Sequence, residues 1–507
     1  MSARLDSNDP QRFSSRWGLI LSVLGIAVGT GNIWRFPRIA AQNGGEEGAG
    51  AFLVAWVVFL LIWSVPLIVA EYGLGRRSRL GVIGTFASLA GGRFAWMGAF
   101  VGFVASAIMF YYSVVAGWCI FYFSEIVITP LPIDLETATA TWERFQATGW
   151  PVVLHAVAMG VGVVVCMKGV SSIERANKVL VPSLLIIVVI CVVRSLTLPG
   201  SSSGIEYLFT PEWSQLGNPR VWLEALTQNA WDTGAGWGLI LSYAVYMRKT
   251  DSVVKNAFIT GFGNNTVSLL AAIMIFGTVF SVLGAEMSRS EVLDVMQSSG
   301  PASTGLTFIW MPQLFAKMHF GKALAALFFL GLSFAALSSL ISMIELATRM
   351  FVDSGLSRRK SLATVGTIGF TMGIPSAISL DFLGNQDFVW GVALMICGAF
   401  VAFATIKFGV ERFATEINAA DPTDWKLGVV WKNLIRWAVP LQAVVLLVWW
   451  MGLAATVYAP DNWMDPLNPY SVMTCVVQWG IALLVFVALN RRLAGPWSGR
   501  SALYSSD

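Results

Sequence analysis

The chain has 507 residues, of which 56% are hydrophobic and only 12% charged, with a formal net charge of +4. A soluble globular protein carries about 25% charged residues, so this composition excludes one and places the chain in a lipid bilayer as an all-α integral membrane protein. The weak positive balance is spread along the chain with no basic patch interleaved with aromatics, which argues against nucleic acid as a partner.

The N-terminus is polar through Phe13 and offers no cleavable signal peptide. Apolar segments near the roughly 20 residues that cross a bilayer then follow at 16–41, 50–75, 94–127, 150–168, 176–198, 221–247, 254–285, 321–350, 361–378, 388–410, 433–456 and 470–490, which predicts twelve transmembrane helices. Most Lys and Arg, among them Arg12, Arg76, Arg77, Lys168, Arg248, Arg358 and Arg491, fall on one side if both termini are cytoplasmic, the topology that the positive-inside rule favours. The expected location is therefore the plasma (inner) membrane. Loops 128–149 and 286–320 are long enough for short helices on the outer side, and 201–219 reads as a polar outer loop. The five cysteines lie in or beside apolar runs without metal-ligand spacing and read as buried small hydrophobes.

Two spans are interrupted. In the first, Gly25-Ile-Ala-Val-Gly-Thr-Gly31 places three glycines within seven residues, with Asn32 next and Arg35 about one turn on. Backbone groups freed by a broken helix are tolerated in a membrane only where protein or a wet cavity satisfies them, and a charge there needs a partner. In the sixth, Gly234, Gly236 and Gly238 follow Asp232 at comparable depth. Breaks in spans one and six open two five-helix halves, the pattern of an inverted-repeat transporter with its site at the midplane. That division gives a cytoplasmic segment 1–15, a first repeat 16–198, a loop 199–220, a second repeat 221–410, two further helices within 411–490, and a cytoplasmic tail 491–507. Glycines alone would equally suit close helix packing; Asn32 and Asp232 tip the reading toward a site.

Ordered motifs run almost end to end: Gly-Asn-Ile-Trp-Arg-Phe-Pro (31–37), Gln-Asn-Gly-Gly (42–45), Gly-Ala-Phe (50–52), Pro-Leu-Ile-Val-Ala-Glu-Tyr-Gly-Leu-Gly-Arg (66–76), Tyr-Tyr (111–112) with Trp118, Gly-Val-Ser-Ser-Ile-Glu-Arg (169–175), Ser-Tyr-Ala-Val-Tyr-Met-Arg-Lys (242–249), Ala-Ala-Leu-Ser-Ser (335–339) and Gln-Asp-Phe (386–388). In these the chain resembles the neurotransmitter:sodium symporter (solute carrier 6) family, in its bacterial, leucine-transporter-like branch. The resemblance implies a first sodium site from Ala27, Asn32, Asp232 and Asn264, and a second from Gly25, Val28, Ala335, Ser338 and Ser339. It implies that a substrate carboxylate lies against the N–H groups of Thr30 and Gly31 and the Tyr112 hydroxyl, where a half-helix N-terminus favours an anion, with Ala27, Gly29 and Asp232 also at the substrate. Ile108, Trp231, Gly234, Trp237, Ser339 and Met343 would line the side-chain pocket. Arg35 with Asp387 would form the outer gate under a lid of Tyr112 and Trp231, and Arg12, Tyr246 and Asp353 the inner one. Read without the family, Ser338 and Ser339 suit helix packing equally well.

The chain departs from the family's pattern in four places. Asp232 stands where a small hydroxyl residue is usual. Ser268 matches chloride-dependent members, yet Trp56 replaces the chloride-binding tyrosine near Gln228. Glu46-Glu47-Gly48-Ala49 is inserted near the outer mouth, and Gly234 and Trp237 alter the pocket. If Asp232 supplies the compensating charge, chloride is not required; at about 5 Å and an effective dielectric of 20, one opposite charge contributes roughly 3 kcal/mol. Sodium-coupled import of a small amino acid or related zwitterion is the expected function. Proton coupling through Asp232, recognition of a substrate amine by that carboxylate, or a non-transporting sensor are the alternatives. An enzyme is not expected: His155 and His319 form no ligand cluster, and no nucleophile–base constellation is present.

Overall fold

A computed structural model describes residues 12–297 and 305–497. Among these, secondary structure is helical throughout apart from one isolated β-bridge between Ala49 and Pro211. Eight helices are long and apolar enough to cross a bilayer: Gly50–Ser78, Gly92–Ile128, Val170–Leu196, Val254–Leu283, Gly321–Asp353, Arg358–Ile378, Leu380–Phe408 and Val429–Tyr458. Three bent pairs raise the number to eleven when each pair is taken as one span: Arg16–Ala27 with Thr30–Gln42, Leu135–Gln146 with Trp150–Cys166, and Val472–Ala488 with Asn490–Trp497.

The expected sixth span is absent from that tally. It consists of two pieces, Pro219–Asp232 and Leu239–Ala244, too short and, with Glu224 and Asp232, too polar to pass as one continuous helix. The expected fourth and twelfth spans each carry only a 17-residue apolar helix, Trp150–Cys166 and Val472–Ala488. The stretch 201–219, read as loop, contains a helix, Ser201–Phe209, followed by a single tight turn at Trp213–Gly217. Its Tyr207 donates to the Gly45 carbonyl at 2.9 Å, and its Glu212 accepts from the Glu47 N–H at 3.1 Å, so these contacts hold the inserted 46–49 segment.

Packing explains the layers. Helices Ala95–Ile128 and Gly321–Asp353 run against each other through the centre, and the first broken helix packs on Val170–Leu196, Val254–Leu283 and Gly321–Asp353. Small residues permit equally close packing elsewhere in the bundle: a Cβ at Gly117 would stand 2.8 Å from the Leu154 backbone of helix Trp150–Cys166, and one at Gly204 of helix Ser201–Phe209 would stand 2.3 Å from the Phe276 carbonyl. The peripheral helix Val429–Tyr458 presents Val430, Leu441, Val444 and Val448 outward, as a helix facing lipid does. All five cysteines are free and buried.

Candidate functional site between two broken helices

The first broken helix begins at Ser15, whose side chain caps Gly18 N–H, and stops at Ala27. Val28 (φ −79°, ψ 88°) makes a tight turn that the Gly29 N–H closes on the Ala27 carbonyl at 3.0 Å, Gly29 (φ −108°, ψ −170°) is extended, and the helix restarts at Thr30 with its axis turned by 49°. Asn32 Oδ1 accepts from the Gly29 N–H at 2.8 Å, which caps the second half from within. The second broken helix ends at Asp232, and Gly234, Gly236 and Gly238 then take left-handed φ values of 66°, 89° and 77°. Only glycine adopts that conformation without strain.

Asn32 organises the space between the breaks. With its oxygen fixed on Gly29, its Nδ2 donates to Asn264 Oδ1 and to Ser268 Oγ, both at 2.7 Å. Asn264 Oδ1 is thereby held 3.0 Å from the Ala27 carbonyl oxygen and 3.3 Å from the Asp232 carbonyl oxygen. Turning the Asn264 amide over would set two Nδ2 groups 2.7 Å apart, so the oxygen-facing arrangement is the consistent one. Asn264 Oδ1 accepts from Asn32 and the Ala27 carbonyl from the Gly29 N–H at 3.0 Å, but no donor lies between the three oxygens themselves, and a cation among them would turn their mutual repulsion into attraction. The Asp232 carboxylate stands beside them, accepting from Gln228 Nε2 at 2.6 Å and Ser268 Oγ at 3.3 Å. Gln228 and Ser268 thus hold a carboxylate of the chain itself. Trp56, the third residue expected there, lies against Phe36 at 4.4 Å between ring centroids, its indole N–H without a partner among the described residues.

A second set of oxygens lies where the first broken helix meets Gly321–Asp353. Ser339 Oγ lies 3.3 Å from the Gly25 carbonyl and 3.2 Å from that of Ile26, and Ser338 Oγ donates to the Ala335 carbonyl at 3.0 Å. Val28 is buried at the break itself.

Above these sets opens a cavity of about 600 Å³. Ala27, Gly29, Thr30, Gly31, Asn32, Tyr112, Trp231, Asp232, Gly234, Trp237, Ser339 and Met343 line it, which unites the expected substrate residues with one exception. Ile108 does not: it is fully buried one turn from Tyr112, and Tyr111 and Val115 line the wall instead. Tyr112 Oη accepts from the Thr30 N–H and hydroxyl, each at 3.3 Å, so the hydroxyl sits at the helix N-terminus where an anion would bind. Trp231 and Trp237 meet edge to face at 5.5 Å, and the Trp237 indole donates to the Ala230 carbonyl.

The outer gate differs from expectation. Arg35 lies over the Trp231 ring at 5.3 Å, while Asp387 accepts from Tyr111 at 3.1 Å. Among the described residues no ion pair joins Arg35 to Asp387, because both line the cavity that separates them and that extends to Tyr458 and Tyr470. At the opposite end the groups are engaged. Asp353 pairs with Arg349 at 2.8 Å and accepts from the Gly81 N–H. Tyr246 donates to Glu345 at 2.5 Å, not to Asp353, and Glu345 also pairs with Arg358. Arg12, expected opposite Asp353, lies exposed in the field of Arg79. Sequence reasoning does not find the Glu345–Arg358 pair, because nothing in the spacing brings positions 13 apart together.

Glu71 also escapes the sequence reading. Fully buried, it accepts from the Gly236 N–H at 2.6 Å and the Leu241 N–H at 2.9 Å, and so satisfies the second break's backbone. A carboxylate inside an otherwise apolar span was the available signal.

Interrupted membrane helices with inward-facing oxygens at their breaks define a carrier of small solutes. The sodium:neurotransmitter symporter family model matches residues 10–149 and 137–494. An uncharacterized sodium-dependent transporter of Methanocaldococcus jannaschii is 32% identical over 86% of this chain and 90% of its own length. The sodium-dependent serotonin transporter of Drosophila melanogaster is 27% identical over 86% and 76%. The crystal structure of MhsT in complex with L-phenylalanine superimposes with a TM-score of 0.74 at 28% identity, covering 86% of this chain and 99% of that one. The chain belongs to the sodium:neurotransmitter symporter family, a family of sodium-dependent membrane transporters and not of enzymes.

Proposed function

We propose that the protein imports a neutral amino acid or related small zwitterion by sodium-coupled symport, with two sodium sites and without a requirement for chloride. One observation carries this reading: Asn264 Oδ1 and the Ala27 and Asp232 carbonyl oxygens converge within 3.3 Å beside a carboxylate of the chain. That set, with Asn32 as its organiser, holds the first sodium ion. Gly25, Val28, Ala335, Ser338 and Ser339 hold the second. The substrate carboxylate rests on Thr30, Gly31 and Tyr112, and its side chain on Trp231, Trp237, Gly234 and Met343. Two relatives support the substrate class. MhsT is in complex with L-phenylalanine, and the sodium-dependent neutral amino acid transporter B(0)AT2 of Rattus norvegicus is 30% identical over 53% of this chain and 40% of its own length.

In our reading the twelve spans comprise two inverted five-helix repeats (16–198 and 221–410) and two additional helices, in a plasma membrane with both termini cytoplasmic. The cavity then opens outward while Arg349–Asp353, Arg358–Glu345 and Tyr246 close the inner side. Substrate binding brings Arg35 to Asp387, and the inner contacts part in turn, as alternating access requires.

Purified protein in liposomes tests the proposal. Labelled neutral amino acids should accumulate under an inward sodium gradient, unchanged when gluconate replaces chloride. Loss of uptake in gluconate overturns chloride independence. Accumulation driven by a pH gradient alone assigns the coupling to a proton on Asp232, and binding without accumulation makes the protein a sensor.

A further inference from the structure

Helix Val170–Leu196 carries a polar side chain that neither sodium site uses. Asn177 is completely buried, and both its Oδ1 and its Nδ2 lack hydrogen-bond partners among the described residues. A buried primary amide left with both ends unsatisfied costs stability, so its surroundings are expected to supply a polar partner. Its position indicates which one. A Cβ placed on Gly25 would lie 3.1 Å from Asn177 Oδ1 and 3.3 Å from Ser338 Cβ. The amide therefore presses on the broken helix at the residue whose carbonyl faces Ser339, next to the serine pair. Gly25 keeps ordinary helical backbone; its missing side chain is what admits the amide.

A polar line continues from there toward the end of the bundle where Asp353 and Arg358 lie. Ser22, one turn before Gly25, is buried with its hydroxyl unpartnered among the described residues. Further on, Glu174, one turn before Asn177, accepts from the Ser14 N–H at 2.8 Å and pairs with Lys178 at 2.7 Å. Water alone could satisfy Asn177, but water alone gives no reason for the amide to stand at Gly25. A partly hydrated sodium ion does: its charge is complementary to Oδ1, and its water oxygen accepts from Nδ2.

We propose that Asn177 is a sodium-binding residue of the second cation site, holding a partly hydrated sodium ion on its amide oxygen beside Gly25 and the serine pair. This rests on the assignment of the second site to Gly25, Ser338 and Ser339. The proposal makes a sign-specific prediction: an added negative charge tightens sodium binding, whereas a residue that only packs would lose stability with any change.

The test is sodium titration of the full-length protein in detergent, following its melting temperature against NaCl with KCl holding ionic strength constant. Asn177→Ala should raise the half-saturating sodium concentration by about tenfold, the scale of one hydrogen bond to a charged group, with the melting temperature in KCl nearly unchanged. Asn177→Asp should lower it by several-fold. Equal half-saturation in wild type and Asn177→Ala, or weaker sodium binding in both variants, overturns the proposal. A double Ser338→Ala, Ser339→Ala variant separates the failures. Loss of the sodium response there with an unchanged Asn177→Ala leaves the second site standing and removes Asn177 from it. A double variant that responds as wild type removes the second-site assignment itself.

Discussion

The two broken helices face each other across one cavity, yet their glycines serve different purposes. In the second break, three glycines occupy left-handed backbone, and a six-residue segment leaves the helix altogether. Glu71, from a neighbouring helix, satisfies the freed N–H groups. The first break is only two residues long, a tight turn at Val28 and an extended Gly29, and needs no positive φ; it is capped by its own Asn32. There the glycines admit neighbours: Asn177 and Ser338 at Gly25, and Ser339 and Tyr112 at Gly29. A break made by backbone conformation has to be supported from outside, whereas a break made for close approach brings its ligand-facing atoms with it.

That contrast can be broken experimentally, and the largest effect belongs to the second break. Gly236→Ala combines a φ of 89° with a Cβ 2.7 Å from Gly398 Cα, backbone against backbone. It should cost about 3–5 kcal/mol and appear as loss of monodisperse protein in size-exclusion chromatography. A well-folded Gly236→Ala with wild-type melting temperature would remove the distinction between the breaks. Next in size, Glu71→Gln keeps the shape but turns one of two acceptors into a donor facing an N–H, at about 2–3 kcal/mol. A melting temperature lowered in both sodium and potassium checks it, since the defect lies in the scaffold.

Asp232→Asn sharpens the chemistry of the site. Gln228 and Ser268 would then hold a neutral amide, and half-saturating sodium should rise by at least tenfold, given roughly 3 kcal/mol for a unit charge at about 5 Å and an effective dielectric of 20. Chloride should partly restore the variant's sodium affinity while leaving wild type unaffected; sodium titrations in chloride and in gluconate read both. The smallest effect is expected at Gly31→Ala. Its Cβ would meet only Asp232 Oδ1, at 3.7 Å, in helical backbone. Stability should shift by less than about 0.5 kcal/mol, and a drop comparable to Gly236→Ala would show that both breaks rely on glycine in the same way.

Legibility in the sequence followed the range of each interaction. The breaks, Asp232 and most of the cavity wall could be read because a glycine cluster or a charge inside an apolar run is a local anomaly, and ordered motifs fix the register. Ile108 failed as a pocket residue because one turn of the long helix Ala95–Ile128 separates a lining position from a packed one. The sequence alone therefore determined a bundle of apolar helices with two polar interruptions, since hydrocarbon tolerates neither free backbone nor unpaired charge elsewhere. Tertiary structure alone decided that Asn32 caps Gly29 and aims its amide at Asn264 and Ser268, that Asp232 is held by Gln228 and Ser268, and that Arg35 rests on Trp231 instead of Asp387. Each of these is a choice among several partners within reach, and which partner wins depends on distances of a few tenths of an ångström that only the packed helices fix.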